Sequence, residues 1–137
     1  MTDQVFHEYL QLSRLLINKL NSQLTTNELY HSQWLITNYL KNFGSSTLVE
    51  ISHYLHVEKS AVTRTVNRLE KKQLIQQVPG NDKREKRIML TDKGEEMYTL
   101  GSELVHKIEQ NALQGISQEE QEQFFTTLRK IKNNVNE

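Results

Sequence analysis

The sequence predicts a mainly helical α+β fold, in which three helices are followed by a basic helix, a β-hairpin and two more helices. Three observations support this prediction. The 137 residues contain one proline and five glycines, so few helix breakers interrupt the chain. Apolar residues recur at three- and four-residue spacing over most of the length, which is the period of an α-helix. The exception is residues 74–90, where two short β-compatible runs flank a cluster of turn formers.

Length and composition define the broad class of protein. A chain of 137 residues is expected to form a single domain, 1–137. The absence of cysteine excludes a disulfide framework, a cysteine zinc site and a thiol nucleophile. No apolar run approaches the roughly 18 residues of a membrane span, and the N-terminus lacks the pattern of a signal peptide. We therefore expect a soluble cytoplasmic protein with no membrane partner.

Apolar stripes and end signals place the first three helices. The first helix is predicted over about residues 4–23, where apolar side chains recur on one face. A second helix, through Trp34, is expected to end near Gly44, because glycine is the usual helix stop. Thr47 and Glu50 have the spacing of a capping box, in which each side chain binds a free backbone amide of the other residue. They predict the start of a short third helix.

The fourth helix carries the candidate chemistry. It follows a brief break at His56 and Val57, and one face is apolar while the other is polar and basic. Two helices joined by so short a turn are typical of a helix-turn-helix, whose second helix fits the major groove of DNA. Arginine and asparagine side chains can read base edges, whereas lysines are suited to phosphates. The candidate base contacts are Ser60, Thr63, Arg64, Asn67 and Arg68, and the candidate phosphate contacts are Lys59, Lys71 and Lys72.

The predicted hairpin pairs residues 74–78 with residues 86–90 around a charged loop. Residues 82–87 read Asp-Lys-Arg-Glu-Lys-Arg, which places four cations close together. A narrow minor groove concentrates negative potential and attracts arginine, so this loop fits a second DNA contact. The formal charge is −2 over residues 1–58, +6 over 59–93 and −4 over 94–137. The middle of the chain is therefore expected to bind an anionic partner.

Two helices complete the chain. Thr91 and Asp92 supply a cap and a first-turn acid for the fifth helix, which is expected to run to about Gly115. Ser117 and Glu120 form a second capping box before the sixth helix. Apolar stripes at both ends of the chain lie outside its basic middle. They either complete the protein's own core or meet a second copy of the chain.

Together these features resemble the MarR family of winged-helix transcription regulators. Residues 82–91 fit the family's D-x-R-x(5)-L-T wing signature, and residues 62–72 also look like the family. The resemblance implies a winged helix-turn-helix with a two-stranded β wing. It further implies a DNA-binding region at 31–91 and dimerisation helices at 1–30 and 92–137.

The resemblance also implies a function: a homodimer that binds double-stranded DNA at a palindromic operator and represses transcription. In this family pattern Arg84 enters the minor groove and Asp82 braces the wing. The predicted DNA-binding residues combine the helix and the wing: Lys59, Ser60, Thr63, Arg64, Asn67, Arg68, Lys71, Asp82, Lys83, Arg84, Lys86 and Arg87.

Two positions depart from the family pattern. Family members usually have glycine before the basic helix and again after it, where this sequence has His56 and Gln73. Histidine is among the residues tolerated at positive φ, so His56 departs only mildly. Gln73 leaves the end of the basic helix less well defined.

Other functions have weaker support in the sequence. The resemblance implies a small phenolic or lipophilic effector, for which the candidate residues are Tyr9, Ser13, Trp34 and Tyr39. Core packing is the commoner role of such aromatic residues. A winged helix that binds protein and antagonises another regulator is the alternative function, although the retained cations favour DNA.

The five histidines lack a metal-ligand pattern and no catalytic motif occurs. We therefore expect no metal, no cofactor and no enzymatic activity.

Overall fold

A computed structural model describes residues 4–79 and 85–136, within which the chain forms six α-helices and one small antiparallel sheet. A single turn of 3₁₀ helix, Thr25–Asn27, follows the first helix. The predicted order of the six helices and the two hairpin strands is confirmed. The helices are α1 Val5–Leu24, α2 His31–Phe43, α3 Leu48–Leu55, α4 Lys59–Lys71, α5 Asp92–Ala112 and α6 Gln118–Val135, and the strands are β1 Ser46–Thr47, β2 Ile75–Gln77 and β3 Arg87–Leu90.

The sheet has three strands among the described residues, where the sequence predicted a two-stranded wing. β3 lies in the centre and pairs antiparallel with β2 on one side and with β1 on the other. In β1, Ser46 lies opposite Ile88 and Thr47 lies opposite Arg87. Thr47 is extended because it is also the N-cap of α3, and an N-cap residue adopts β-region dihedral angles. Two residues are too few for a recognisable strand pattern, so this strand was missed.

Both predicted capping boxes are confirmed. Thr47 accepts a hydrogen bond from the amide of Glu50, and the Glu50 carboxylate accepts one from the amide of Thr47. Ser117 and Glu120 make the same reciprocal pair at the start of α6. Because each box satisfies two backbone amides that the helix leaves free, α3 and α6 begin where the sequence predicts.

The chain divides into two compact units, one ending at Val105 and the other beginning at His106. In the first unit, the hydrophobic core lies between α2, α3, α4 and the sheet. Its fully buried side chains include Ile51, Val66, Leu69 and Ile88. In the second unit, α6 has no buried residue within the described chain. The division predicted from the sequence, into a DNA-binding region at 31–91 and dimerisation helices at 1–30 and 92–137, stays a prediction.

Left-handed residues end both helices of the helix-turn-helix. His56 has φ 55° after α3 and Gln73 has φ 65° after α4, at the two positions where family members usually have glycine. The Leu74 amide donates to the Leu69 carbonyl at 3.0 Å, which closes the end of α4 in the manner of a Schellman motif. Gln73 therefore defines the end of the basic helix after all, at a cost of about 1 kcal/mol for a left-handed residue that carries a side chain.

Candidate nucleic-acid interface

The amphipathic character predicted for α4 is confirmed. Val62, Val66 and Leu69 are buried in the core, which fixes the rotation of the helix about its axis. Thr63 is half-buried, and its hydroxyl donates to the Lys59 carbonyl at 2.9 Å. The other candidate DNA contacts on this helix are exposed: Lys59, Ser60, Arg64, Asn67, Arg68 and Lys71.

The cations on this exposed face keep their charge available. Within residues 4–79 and 85–136, none of the four has a carboxylate partner within ion-pair distance: Lys59, Arg64, Arg68 and Lys71. A helix held rigidly by its apolar face while unneutralised cations and hydrogen-bond donors project from the other side can fit a major groove. α4 is therefore the candidate recognition helix.

The sequence of the wing tip contains three further predicted DNA contacts. The predicted contacts Asp82, Lys83 and Arg84 lie outside the described residues, so their part in the interface stays a prediction. The strand that follows them is well defined, because β3 lies at the centre of the sheet.

Two wing cations predicted to contact DNA form ion pairs within the protein. The Lys86 ammonium lies 2.8 Å from the Glu70 carboxylate of α4. The Arg87 guanidinium lies 3.3 Å from the Glu50 carboxylate of α3 and donates to the Ser45 carbonyl at 3.1 Å. These contacts join distant parts of the sequence, so residue spacing could not indicate them.

Lys72 likewise packs against the protein. Its ammonium donates to the Gln33 side-chain oxygen at 2.9 Å and to the Glu28 carbonyl, and it lies 5.8 Å from the centre of the Tyr30 ring. This lysine therefore ties the end of α4 to the start of α2. The phosphate contact expected of Lys72 has no support in this geometry, because the ammonium faces the protein.

Thr91, a residue of the wing signature, holds the end of α4 to the start of α5. Its amide donates to the Leu74 carbonyl at 3.1 Å, and its hydroxyl donates to the Gln73 carbonyl at 2.6 Å. The same hydroxyl accepts a hydrogen bond from the Gly94 amide at 3.0 Å. The sequence identified Thr91 as a helix cap, but its bond to the Gln73 carbonyl depends on the tertiary fold.

The structure contains a cavity of about 680 Å³ beside the end of α4. It is open to solvent and combines amide, hydroxyl and cationic groups with one aliphatic side chain. Burial lowers the pKa of His31 in its wall, which favours the neutral imidazole. The lining residues are Ile17, Asn21, Tyr30, His31, Ser32, Gln33, Arg68, Lys71 and Lys72.

The residues proposed from the sequence for an effector do not line this cavity. Trp34 is buried and stacks on Tyr98 with ring centres 5.5 Å apart. Tyr39 is buried against Phe43, with ring centres 4.8 Å apart. Both are core aromatics, since α2 turns their faces inward. Tyr9 and Ser13 lie on α1, exposed and half-buried respectively.

Two kinds of feature are absent from the described residues. No group of three or more histidine, aspartate or glutamate side chains in that part of the chain is placed to hold a metal ion. None of its helices combines the length and the apolar character that a membrane span requires.

Glu50 gives the helix-turn-helix a pH-dependent stability. Hydrogen bonds from the Thr47 amide and hydroxyl, with a smaller contribution from the charge of Arg87, lower the pKa of the Glu50 carboxyl from its ordinary value near 4.5. A carboxyl whose pKa is lowered by folding stabilises the protein above its unfolded pKa, and this stabilisation is lost as the pH falls through the folded value.

Replacing Glu50 with glutamine is therefore expected to flatten the fall in unfolding free energy below pH 4.5. Glutamine keeps the capping geometry but cannot titrate. Urea unfolding at a series of pH values measures this slope. Glu103→Gln, which removes an exposed carboxylate of α5, is the matched control. A Glu50→Gln slope equal to that of the wild type would show that the cap does not carry the effect.

The fold and this surface together define a winged helix-turn-helix protein with a cationic recognition helix. The model of the MarR family matches residues 29–86, which include the helix-turn-helix and β2 and end just before β3. An HTH-type transcriptional regulator of Bacillus subtilis, YwoH, is 38% identical over 120 residues, or 88% of each chain. The chain belongs to the MarR family of DNA-binding transcriptional regulators, and its relatives are regulators rather than enzymes.

Solved structures show the same fold. The chain is similar to Staphylococcus aureus MarR in complex with salicylate and kanamycin, with a TM-score of 0.87, 28% identity and coverage of 98% of this chain and 91% of that one. It is also similar to a mutant MarR from E. coli complexed with operator DNA, with a TM-score of 0.77, 25% identity and coverage of 93% and 97%.

Proposed function

We propose that this protein is a transcriptional repressor that binds a palindromic operator as a homodimer. The observation that carries the proposal is the exposed face of α4, on which four cations lie without carboxylate partners in the described chain. An operator complex of a MarR of the same fold supports the choice of double-stranded DNA as the partner.

In this proposal α4 enters the major groove and makes two kinds of contact, one to bases and one to phosphates. The guanidinium groups of Arg64 and Arg68 can each donate two parallel hydrogen bonds to a guanine, and the Asn67 amide can pair with an adenine. Lys59 and Lys71, at opposite ends of the helix, are suited to phosphates on either side of the groove. Repression then follows from occupancy, since a bound regulator excludes RNA polymerase from the same DNA.

Apolar side chains on α1 and α6 support the homodimer. On α1, Phe6, Leu10 and Leu15 are each more than half exposed. On α6, Phe124 and Phe125 are also more than half exposed. Large apolar groups clustered on helix surfaces typically mark an interface with another protein. A second copy is the proposed partner, because a two-fold symmetric pair of recognition helices reads a palindrome.

The test combines sedimentation equilibrium with DNA titration. The protein is expected to sediment at twice the 16.1 kDa mass of the chain. Genomic duplex fragments that it retains supply the operator. Affinity for the operator is expected to fall by orders of magnitude over a fourfold increase in salt, because each phosphate contact releases counterions. A folded monomer contradicts the dimer, and binding that is weak and independent of salt contradicts the DNA interface and favours the alternative protein partner.

The cavity beside α4 is the proposed effector site. Arg68, Lys71 and Lys72 supply positive charge, and Ile17 and the Tyr30 ring supply apolar contact, so an aromatic carboxylate fits the lining. The salicylate complex of the similar S. aureus MarR supports this ligand class. Because Arg68 and Lys71 also face the proposed DNA, a bound anion competes for cations that the operator complex uses.

Millimolar salicylate is expected to weaken operator binding by the wild type. In Ser32→Trp, a bulky side chain at the cavity wall is expected to occupy the ligand space and reduce the salicylate effect at least tenfold, with operator affinity retained. Fluorescence anisotropy with labelled operator measures both quantities. Ser22→Trp, on the exposed surface of α1, is the matched control. Equal salicylate responses in the two variants contradict the assignment of this cavity.

A further inference from the structure

The base of the wing is attached to both helices of the helix-turn-helix by consecutive residues. Lys86 reaches Glu70 on α4 at 2.8 Å, while Arg87 reaches Glu50 on α3 at 3.3 Å. Lys86 directly precedes β3 and Arg87 is its first residue, so the two contacts hold the start of β3 to α4 and to α3. In the sequence, this segment directly follows the charged loop of the wing.

The chemistry of the Lys86 contact argues against a phosphate ligand. Both members of the pair are about two-thirds removed from solvent, with side-chain exposures of 32% for Lys86 and 29% for Glu70. An ammonium already bonded to a carboxylate has less charge to offer a phosphate. Glu70 also brings a negative charge onto the helix that must approach DNA. A negative charge at this position is expected to weaken DNA binding, so its presence suggests a second role for Glu70.

We propose that Glu70 and Lys86 are positioning residues, which set the angle of the wing relative to the recognition helix. This inference depends on the proposed DNA-binding function. The wing and α4 must reach adjacent grooves of one duplex at the same time, so their relative orientation determines whether both contacts form. Lys86 affects DNA binding through its ion pair with Glu70. The ion pair between Arg87 and Glu50 holds the same segment to α3.

The distinguishing experiment removes the acid rather than the base. If Lys86 binds phosphate, Glu70→Gln frees it, and operator affinity rises with a steeper salt dependence. If the pair positions the wing, Glu70→Gln weakens operator binding, although the protein has lost a negative charge. We expect operator affinity to fall about three- to tenfold. A misplaced wing loses some of its phosphate contacts, and each of these contacts contributes to the affinity.

Glu58→Gln is the matched control. Glu58 is the N-cap residue of α4, its side chain makes no cap hydrogen bond, and it has no ion pair within the described residues. Its replacement removes the same charge from the same helix without touching the wing. Operator binding by this variant is expected to become slightly tighter, which calibrates the electrostatic effect of removing an acid near DNA.

A charge exchange completes the test. Lys86→Glu alone is expected to weaken operator binding by at least tenfold, and adding Glu70→Lys is expected to restore it to within about threefold of the wild type. Circular dichroism melting confirms folding, and the exchange decides the question even if one single variant unfolds. Tighter binding by Glu70→Gln, or no recovery in the exchange, overturns the positioning role alone. A wild type without salt-dependent duplex binding overturns the proposed function and the positioning role together.

Discussion

Replacing Arg64 with alanine is expected to weaken operator binding by about 10- to 100-fold while leaving the fold intact. Arg64 is exposed in the middle of α4, and it has no ion pair within the described residues. Loss of a two-pronged contact to guanine corresponds to about 1–3 kcal/mol of binding free energy. Because the side chain is exposed, thermal stability should stay near that of the wild type.

A lysine at the same position separates the two roles open to Arg64. Lysine keeps the charge but cannot form the paired hydrogen bonds of a guanidinium. If Arg64 reads a base, Arg64→Lys stays weak and loses its preference at one base pair. If Arg64 binds phosphate, lysine restores most of the affinity. Titration of the operator and of single-base variants measures both. Arg14→Ala, on the exposed surface of α1, is the matched control, and an equal loss of affinity there contradicts a specific role for Arg64.

The second large effect concerns stability: Gly94→Ala is expected to destabilise the protein by about 2 kcal/mol. A Cβ at position 94 would lie 2.1 Å from the Leu74 carbonyl oxygen and 3.2 Å from a methyl group of Leu90. Alanine is ordinarily the better helix former by about 1 kcal/mol. That gain is outweighed because the clash is with backbone, which cannot move aside as a flexible side chain can, and overpacking of this kind costs about 1–3 kcal/mol or more.

Urea unfolding monitored by circular dichroism measures the Gly94→Ala effect. Gly115→Ala is the control, since no non-neighbouring atom of the described residues lies within 4 Å of a Cβ there and only its φ of +81° opposes a side chain. We expect the control to lose about 1 kcal/mol, the ordinary cost of a left-handed residue. A Gly94→Ala protein as stable as the wild type would mean that Leu74 and the start of α5 separate easily. The Thr91 hydrogen bonds between them argue against such a separation.

Much of the interface could be predicted because the relevant signals are local. The apolar positions of α4 predict which face is buried, and the remaining positions therefore predict the exposed face that carries Arg64 and Asn67. The capping box at Thr47 and Glu50 lies within four residues, so spacing alone identifies it. The left-handed conformation of His56 likewise agrees with the known tolerance of histidine at positive φ.

The roles of individual cations could not be predicted from the same patterns. Lys71 and Lys72 are adjacent in sequence, yet Lys71 is exposed and Lys72 is bonded to Gln33 and Glu28. Lys86 is separated from Glu70 by 16 positions, and Arg87 from Ser45 by 42. A run of charges indicates a polar surface, but it does not indicate which charges meet a partner elsewhere in the chain.

The amino-acid order thus determined the helices, their caps, the polarity of α4 and the family, because each depends on residues within one or two turns of one another. The tertiary fold alone decided three features. These are the third strand, the ion pairs that Lys86 and Arg87 form with glutamates, and the inward direction of Lys72. These depend on which segments pack together, and the burial of side chains such as Ile51, Val66 and Ile88 is what brings those segments into contact.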